Sequence, residues 1–432
     1  MLERAWPRAL ALIDGDAFFA SVEQAVKPHL KGKPVVTGKE RNIVAAASYE
    51  AKALGVRRGV TLWDAKKMCP GLVVLPTDYE TVSLFSKRMF DIMRRYSPVV
   101  EEYSIDEGFV NLTGLRRVHH SSYEKIARAI QSDIHTELDI TVSVGLSISK
   151  VLTKIAAEMG KPNGFTIISG RDIETKLADV PIGDIWGIGS NTAALLIAHG
   201  MPTALSFAQK PREYVERILT KPGIEIWQEL NGESVMPISM EEKESYQSIG
   251  KSKTFTPAST ERDYVFAQLV KNIENACIKA RRYNQAAQEF SIYLKKQDHR
   301  SNGLRVKLDR PTCYPTELMN VARKLMNELW RPGTEYRATG VILSHLVPST
   351  PVQPTLFEDP IQIVATQELF AALDTIREKY GKHAIHLAAS LPAQSQQHLS
   401  SRGDLPTRKE SLLKGESDRR RLPLPVVHTK LS

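Results

Sequence analysis

Short apolar runs alternate with helically spaced apolar residues over the first 165 positions of the chain. The run Leu10 to Ile13 predicts a strand. Phe18, Val22 and Val26 then recur every fourth residue, which predicts a helix directly after that strand. A longer helix with one apolar face is predicted over Asp78 to Tyr96, after a Gly-, Lys- and Arg-rich stretch from 31 to 76.

The pattern beyond that helix completes a sheet of split βαβ topology. The predicted elements are strands in PVVEEYS and GFVNLT, a helix over Tyr123–Thr136, a strand in ITVSVGLSI and a helix over Val151–Met159. With residues 31–76 set aside, the order is β-α-β-β-α-β plus a helix, which is the ferredoxin-like pattern. In this topology the first strand lies beside the middle hairpin, so we expect Asp14 to meet Asp106 and Glu107 at one edge of the sheet.

The remaining chain predicts a helical segment, a linker, a second mixed segment and a tail. Residues 171–232 are predominantly helical, and the polar, poorly periodic stretch 231–247 is typical of a linker. The order β-α-β-β-α-β recurs over Ser248–Phe255, Arg262–Arg282, Gln288–Lys296, Gly303–Leu308, Pro315–Trp330 and Tyr336–Ser344. Beyond these, one helix is possible over Thr366–Tyr380, and we expect disorder from Ala393 onward. The predicted fold class is α+β with several domains.

Composition narrows the class of protein. The chain has 432 residues with 58 Lys and Arg against 49 Asp and Glu, a formal net charge of +9 that favours a polyanionic partner. No apolar run approaches the ~20 residues that cross a bilayer. The N-terminal apolar stretch is interrupted by Asp14 and Asp16, which the apolar region of a secretory signal would not tolerate. The cysteines, Cys69, Cys277 and Cys313, are too far apart for a disulfide framework or a zinc site. We therefore expect a cytoplasmic protein without a membrane partner.

The three acids expected at the sheet edge are candidates for a metal site. Like charges a few ångströms apart raise one another's pKa, so such a cluster is tolerable when divalent cations neutralise it. Mg²⁺ prefers carboxylate oxygens, water and substrate phosphates, and two such ions can activate a hydroxyl and stabilise a leaving pyrophosphate. The alternative is that Asp14 and Asp106 cap turns and that Glu107 is merely solvated.

Four motifs, in order and in register, carry a resemblance to a known family. They are IDGDAFFASVEQ (13–24), SYEAKALGV (48–56), YSIDE (103–107) and KIAAEMGKPNG (154–164). From about residue 10 to residue 357 the chain resembles the Y-family translesion DNA polymerases of the DinB/UmuC type. The resemblance implies a low-fidelity, template-directed polymerase for DNA damage tolerance and SOS repair, with primer-template DNA and deoxynucleoside triphosphates as substrates.

The resemblance also implies a right-hand polymerase architecture. Its parts are a ferredoxin-like palm (1–18 and 77–168), small inserted fingers (19–76), a helix-hairpin-helix thumb (169–232), a linker (233–244), a βαββαβ little finger that binds DNA (245–346), and a clamp-binding, largely disordered tail (347–432). SYEAKALGV and residues 320–357 favour the UmuC branch, whereas KIAAEMGKPNG favours DinB. The subgroup and a requirement for UmuD-like subunits therefore stay open.

The resemblance assigns roles to the acids. Asp14 and Asp106 would bind both of two Mg²⁺ ions, with the carbonyl of Gly15 completing one site. Glu107 would be the third carboxylate, closest to the primer 3′-hydroxyl, so Asp14, Asp106 and Glu107 are the implied catalytic residues. Asp16 is not a usual ligand in the family, and its alternative role is the N-cap of the helix over 17–26.

Other residues correspond to the family's nucleotide-binding positions. Phe19 matches the steric gate, a flat ring that leaves no room for a ribose 2′-hydroxyl. Tyr49, Lys52 and Lys161 occupy positions that the family uses for the triphosphate. Lys52 departs from the more frequent arginine, which replaces a bidentate fork by a point charge. The alternative for Lys161 is an exposed cation at a helix end, favoured by the helix dipole.

Two further features indicate DNA binding. The segment IWGIGSNTAALL (185–196) lacks the third glycine, the leading strand and the downstream acid of a dinucleotide fingerprint. It is similar to a helix-hairpin-helix, in which backbone N–H groups of Gly187 and Gly189 hold a DNA phosphate. Cations on or beside the strands and first helix of residues 248–346 indicate a surface for the DNA backbone. They are Lys251, Lys253, Lys279, Arg281, Arg282, Lys295, Lys296, Arg305 and Lys307.

The pentapeptide QPTLF (353–357) has the form of a sliding-clamp peptide. Gln353 would form hydrogen bonds, and Leu356 and Phe357 would fill an apolar pocket on the clamp. Two other functions compete with the polymerase. A nucleotidyl cyclase uses a related sheet and two metals but needs no DNA-binding segments, and a non-catalytic accessory factor needs no complete carboxylate set. The sequence therefore favours a DNA-directed DNA polymerase.

Overall fold

The structure is a computed structural model that describes residues 6–240, 245–349, 360–380 and 385–395. The described residues form two units, one before residue 241 and one after residue 244, and each has its own hydrophobic core. None of the described helices is both long enough and apolar enough to cross a membrane.

The elements of the first unit alternate between strands and helices up to residue 167 and are helical thereafter. In chain order they are β1 (Leu10–Gly15), α1 (Phe18–Val26), β2 (Val35–Thr37), β3 (Ala46–Ala47), α2 (Tyr49–Ala53), α3 (Leu62–Met68), β4 (Val73–Leu75), α4 (Tyr79–Tyr96), β5 (Val100–Glu102), β6 (Glu107–Asn111), α5 (Tyr123–Leu138), β7 (Val142–Ser147), α6 (Lys150–Gly160), β8 (Phe165–Ile167), α7 (Ile173–Leu177), α8 (Ser190–Ala198), α9 (Ala204–Ala208), α10 (Arg212–Ile218) and α11 (Lys221–Leu230).

A five-stranded sheet in the order β5-β6-β1-β7-β8 forms the centre of the first unit. β1 pairs antiparallel with both β6 and β7, and β8 joins β7 in parallel. The order β5-β6-β1-β7 confirms the predicted ferredoxin-like topology, to which β8 adds an edge strand that the sequence pattern did not reveal.

Side chains of β1 alternate between two apolar cores, so every residue of this strand is buried. Ala11 and Ile13 pack with α4 and α5 on one face of the sheet. Leu12 packs with Phe109 and with Ala157 of α6 on the other. The central strand is therefore fixed from both faces.

Two further clusters complete the first unit. A small sheet in the order β3-β2-β4 packs around Val36 and Val44. The helices α7 to α11 share a core with α6 that includes Leu196 and Phe207. The short helix predicted in SYEAKALGV is confirmed as α2, which ends before Gly55 at φ +87°.

The stretch predicted to be a linker packs on the central sheet as far as residue 240. Ile238 contacts the apolar cluster between the sheet and α6. The backbone N–H of Ser239 donates to a carboxylate oxygen of Glu101 at 2.9 Å, and Lys150 donates to the same carboxylate. Because Lys150 and Glu101 are both buried, their ion pair fastens a segment that has few apolar anchors. Residues 241–244 lie outside the described residues.

The second unit is an antiparallel sheet covered on one face by helices. In chain order its elements are β9 (Ser248–Ser259), α12 (Arg262–Arg282), β10 (Gln285–Lys296), β11 (Ser301–Thr312), α13 (Pro315–Leu329), β12 (Tyr336–Pro348), α14 (Pro360–Tyr380) and α15 (Pro392–Ser395). The predicted βαββαβ succession is confirmed for β9 to β12, and the first helix has the predicted bounds.

The strand order of this sheet is β11-β10-β12-β9. β9 is therefore an edge strand beside β12, whereas β1, its counterpart in the element succession of the first unit, lies inside its sheet. The same pattern of elements folds into two different sheets, which agrees with treating the two segments as separate domains and not as an internal repeat.

The helix predicted over Thr366–Tyr380 is confirmed as α14. Helix α14 begins at Pro360, earlier than predicted, and its Phe370 is 1% exposed beside Tyr314. Asp374 accepts from Arg281 at 2.6 Å (Nε) and 2.9 Å (Nη2). Arg281, one of the cations expected to lie on the DNA-binding surface, is thus paired inside this unit, and this pair holds α14 in the fold. Residues 350–359, 381–384 and 396–432 lie outside the described residues.

Replacing Gly145 of β7 by alanine is expected to destabilise the first unit. The new Cβ would lie 2.0 Å from the carbonyl oxygen of Thr153 and 2.5 Å from the backbone nitrogen of Ala157, both in α6. The helix has to shift, and overpacking of this kind costs about 1–3 kcal/mol. Scanning calorimetry of G145A against the wild type measures the loss. The control is G183A, whose Cβ would meet Ala193 at an ordinary 3.7 Å; equal melting temperatures for the two variants would contradict the prediction.

Candidate active site

The register between β1 and β6 brings acids from distant parts of the sequence to one sheet edge. Asp14 lies directly opposite Glu107 in the antiparallel pair. The backbone N–H of Gly15 donates to the carbonyl of Asp106 at 2.7 Å, which holds the hairpin tip against β1. Directly opposed Cα atoms are ~4.5–5.5 Å apart in such a pair. The predicted adjacency of the first strand and the hairpin is confirmed.

Two of the carboxylates are held by lysines of one helix and its C-terminal end. Asp14 Oδ2 accepts from Nζ of Lys161 at 2.9 Å. Both carboxylate oxygens of Glu107 accept from Nζ of Lys154, at 3.0 and 2.8 Å. These contacts lower the repulsion between neighbouring carboxylates, because each negative charge has its own cation.

The third acid has a neutral partner. Asp106 accepts a hydrogen bond from the hydroxyl of Ser104, within the same hairpin. Across the described parts of the chain, no three Cys, His, Asp or Glu side chains are arranged to hold a metal ion. The edge therefore supplies the oxygen donors expected from the sequence, but their side chains point to separate partners within the protein.

Burial dominates the electrostatics of Asp14. Removal from water raises the pKa of this carboxyl to about 6, against the lowering effect of Lys161 and with a further raising effect of Glu107. Burial alone would lower the pKa of Lys161, but the charges of Asp14 and Glu158 raise it above its usual range. The Lys161 side chain is 22% exposed. It is therefore a bridged cation at the sheet edge and not the exposed helix-end cation of the alternative interpretation.

Asp16 does not cap the helix that follows it, so that interpretation is wrong. The N-cap of α1 is Ala17, at φ 47°, and no side chain caps this helix. Asp16 is 1% exposed; its Oδ1 accepts from the hydroxyl of Ser143 and its Oδ2 from the backbone N–H of Asn163, both at 2.7 Å. Asp16 thus ties the end of β1 to the turn that carries Lys161.

The residues that are expected to bind the triphosphate are affected by the charges of these acids and of Lys161. Burial and the charge of Lys161 lower the pKa of Lys52. Burial, with the charge of Asp16, raises the pKa of Tyr49 to about 12. Nζ of Lys52 lies 4.2 Å from the centre of the Tyr49 ring. Tyr49 and Lys52 thus contact each other and are affected by the charges of Asp16 and Lys161.

Phe19 lies beside this group, on the helix that follows β1. Its half-buried ring meets Tyr79 of α4 edge to face, with ring centres 5.6 Å apart. The preceding Phe18 is 2% exposed and belongs to the core, as expected from the sequence. Consecutive aromatic residues on α1 therefore have different environments.

Lys154 is a site residue that the sequence analysis missed. Besides its contacts with Glu107, its Nζ lies 5.0 Å from the ring centre of Tyr103 and 5.3 Å from that of Trp186. Trp186 Nε1 donates to the hydroxyl of Tyr103 at 3.1 Å. The lysine opens the KIAAEMGKPNG motif, but nothing in the sequence shows that an aromatic residue from the helical segment would cover it.

Family models match three parts of the chain. The impB/mucB/samB family matches residues 13–158, the IMS family HHH motif residues 171–201, and the impB/mucB/samB C-terminal domain residues 246–356. A DNA polymerase IV of Moorella thermoacetica is 33% identical over 89% of this chain and 96% of the relative. The chain belongs to the Y family of DNA polymerases.

Other relatives and solved structures agree with this membership. A DNA polymerase IV of Desulfatibacillum aliphaticivorans is 32% identical over 87% of this chain and 95% of the relative. A DNA polymerase IV 1 of Bacillus subtilis is 30% identical over 89% of this chain and 93% of the relative. A Y-family DNA polymerase chimera of Dbh and Dpo4 superposes with a TM-score of 0.65 at 25% identity, over 79% of this chain and 99% of that one. An insertion ternary complex of Dbh DNA polymerase shares the fold, at 24% identity and a TM-score of 0.51.

The helix-hairpin-helix motif of this Y-family polymerase combines a glycine turn with the N-terminus of a helix. Gly187 is at φ +88°, and a Cβ there would lie 2.7 Å from Ile226. Gly189 is the N-cap of α8, and a Cβ built on it would meet no atom within 4 Å. The first glycine is therefore required by the turn, and the second leaves the N-terminus of α8 accessible.

The predicted DNA-facing cations of the second unit divide between two faces of its sheet. Lys251 and Lys253 lie opposite Val341 and Thr339, which face the helices, so they lie on the helix-covered side. Lys251 accordingly lies near cations of α12, whose charges, after burial, lower its pKa.

The opposite side of the sheet carries the remaining predicted cations. Lys295 follows buried Leu294 and so points to the uncovered face. Arg305 pairs with Ser291 on that face and lies 3.7 Å from Glu289. Lys296 lies at a register irregularity at the end of β10. Lys251 and Lys253 therefore lie on a different face of the sheet from Lys295 and Arg305, and DNA binding by all four stays a prediction. The clamp-peptide residues Gln353, Leu356 and Phe357 lie outside the described residues.

The stability of the first unit in EDTA should depend on pH through Asp14. The pKa of this carboxyl is about 6 in the folded protein against an ordinary 3.8, so the folded state holds the proton more tightly. The stability that protonated Asp14 contributes to the folded state is fully present below about pH 4 and is lost as the pH rises through about 6. D14N cannot titrate, so its melting temperature should rise relative to that of the wild type between these values. Parallel melting curves across this range would contradict the assignment.

Removing the charge of Lys154 should slow nucleotide addition without weakening DNA binding. K154M leaves Glu107 without its donors, and misplacement of a reacting group by about 1 Å costs about 10²-fold in rate. K154R keeps the charge and should recover part of kcat. Single-turnover primer extension and DNA-binding titrations separate the two effects, with exposed Lys87→Met as the control. Wild-type kcat in K154M would show that Lys154 does not position Glu107.

Proposed function

We propose that this Y-family polymerase extends primers past damaged template bases, with low fidelity, in DNA damage tolerance and the SOS response. The observation that carries the proposal is the pairing of β1 with β6, which sets Asp14 opposite Glu107 beside Lys161. The relatives named DNA polymerase IV and the ternary complex of Dbh support DNA and nucleotides as substrates.

The donor set fits two Mg²⁺ ions. Asp14, Asp106 and Glu107 offer carboxylate oxygens and Gly15 a carbonyl, the hard ligands that Mg²⁺ prefers. The raised pKa of Asp14 supports this fit, because Lys161 alone does not offset its burial. When bound, the ions would supply activation of the primer hydroxyl and charge neutralisation of the leaving pyrophosphate. The ion pair of Lys161 with Asp14 would then have to loosen, whereas Lys154 would stay beside Glu107 and orient its carboxylate.

The remaining residues would bind and orient the nucleotide. Lys161, Lys52 and Tyr49 would hold the triphosphate, and the ring of Phe19 beneath the sugar would exclude a 2′-hydroxyl. Glu107 would lie nearest the primer 3′-hydroxyl. The hydroxyl loses its proton to water, its oxygen attacks the α-phosphorus in line, a new ester bond forms, and the bond to pyrophosphate breaks.

The other parts of the chain would act on the template and on partners. We assign the palm, fingers, thumb and little finger to the ranges expected from the sequence. Backbone N–H groups of Gly187 and Gly189 would bind a phosphate of the DNA backbone. Lys295 and Arg305 on the uncovered sheet face are better candidates for contacts with the DNA backbone than Lys251 and Lys253. Residues 353–357 would bind a sliding clamp, and UmuD-like subunits are further candidate partners.

Primer extension with Mg²⁺ on undamaged and damaged templates tests the proposal. Wild-type protein should add nucleotides, whereas E107A and D106A should add none and still bind primer-template DNA, because neither residue is needed for the backbone grip. Lys39→Ala, on the surface of the first unit, serves as the control. Normal incorporation by either acid variant would refute the site. Formation of cyclic nucleotides without DNA would instead support a nucleotidyl cyclase.

A further inference from the structure

The segment after β6 folds into a basic cleft of about 760 Å³ that is separate from the sheet edge of Asp14 and Glu107. Its lining residues are Gly114, Arg116, Arg117, His120, Ser121, Ser122, Tyr123 and Lys125. Strand β6 runs from Glu107 to Asn111, so the segment leaves the sheet ~13 Å from the acids, at the opposite end of the strand. None of the residues assigned to the polymerase reaction lines this cleft.

The cleft is held together by hydrogen bonds of its own. The backbone N–H of Gly114 donates to the hydroxyl of Tyr123 at 3.2 Å. The N–H of Ser121 donates to the carbonyl of Arg116 at 3.0 Å, and the hydroxyl of Ser122 accepts from the N–H of Lys125 at the start of α5. The cations are thus presented by a folded turn that is fixed to the helix.

The charges of the cleft are not balanced locally. No acid lines it, and within the described parts of the chain Arg116, Arg117 and Lys125 form no ion pair. The acid in the first turn of α5, Glu124, pairs with Arg128 instead, at 3.0 Å. The Arg116 guanidinium lies 5.6 Å from the centre of the Tyr123 ring, which orients it.

We propose that this cleft binds a phosphate group. Two guanidinium groups offer bidentate donors that match phosphate oxygens, and Lys125 and the hydroxyl of Ser121 add further donors. The phosphate comes either from a stretch of nucleic acid outside the sheet-edge site or from a small polyphosphate. The inference goes beyond the polymerase reaction, because the cleft and the sheet-edge acids share no residue.

Pyrophosphate titration by calorimetry in EDTA tests the cleft directly. The double variant R116A/R117A should bind pyrophosphate at least about tenfold more weakly than the wild type, since each charged hydrogen bond contributes roughly that much. The variant K161A distinguishes pyrophosphate binding at the sheet edge from binding in the cleft, because it should leave binding in the cleft unchanged. The control R128A removes an arginine that is already paired on the same helix. Unchanged pyrophosphate affinity in the double variant overturns the proposal.

Titrations of DNA binding at several salt concentrations distinguish nucleic acid from a small polyphosphate as the source of the phosphate. If the cleft binds nucleic acid, the double variant should lower the slope of log affinity against log salt by about one for each lost contact. If the cleft binds a small polyphosphate, pyrophosphate binding falls and the salt slope stays at the wild-type value. Primer extension by the double variant should proceed in both cases, so failure of this proposal is distinguishable from failure of the polymerase assignment. Melting curves that match R128A confirm that the double variant folds.

Discussion

The antiparallel register of β1 against β6 is the constraint on which the rest of the site depends. It places two acids, Asp14 and Glu107, directly opposite each other although they are far apart in sequence. A slip of one residue would exchange the faces of every side chain on the strand. Such a slip is prevented because β1 is buried on both sides, with Ile13 in one core and Leu12 in the other. The packing of apolar residues thus determines where the charged ones meet.

The succession of elements could be predicted from the sequence, but the side-chain partners could not. Apolar periodicity gave the ferredoxin-like order and the bounds of α12, since both follow from local pattern. It did not give the strand order of the second sheet, because one β-α-β-β-α-β pattern is compatible with more than one pairing. The partners of Asp16 come from β7 and from the turn after α6, and the partner of Glu107 comes from α6; no local pattern shows that these segments meet at the sheet edge.

Two features of the second unit depend on packing and not on charge alone. Lys251 and Lys253 share a face of β9 with buried Ile249 and Phe255, so strand alternation assigns them to the helix-covered face. Helix α14 carries several apolar residues, of which Ile361, Val364 and Leu369 are exposed and Phe370 is buried. It is nevertheless part of the fold, because a bidentate ion pair to Arg281 acts together with one buried ring.

Helix α6 and its C-terminal end position the lysines that pair with the acids of the central sheet in the first unit. Lys150 and Lys154, one turn apart, reach Glu101 and Glu107, and Lys161 at the helix end reaches Asp14. An α-helix turns by ~100° for each residue, so a single inserted residue would rotate the downstream cation away from its carboxylate while leaving the upstream pairs in place. The length of this helix therefore cannot change without separating Lys161 from Asp14.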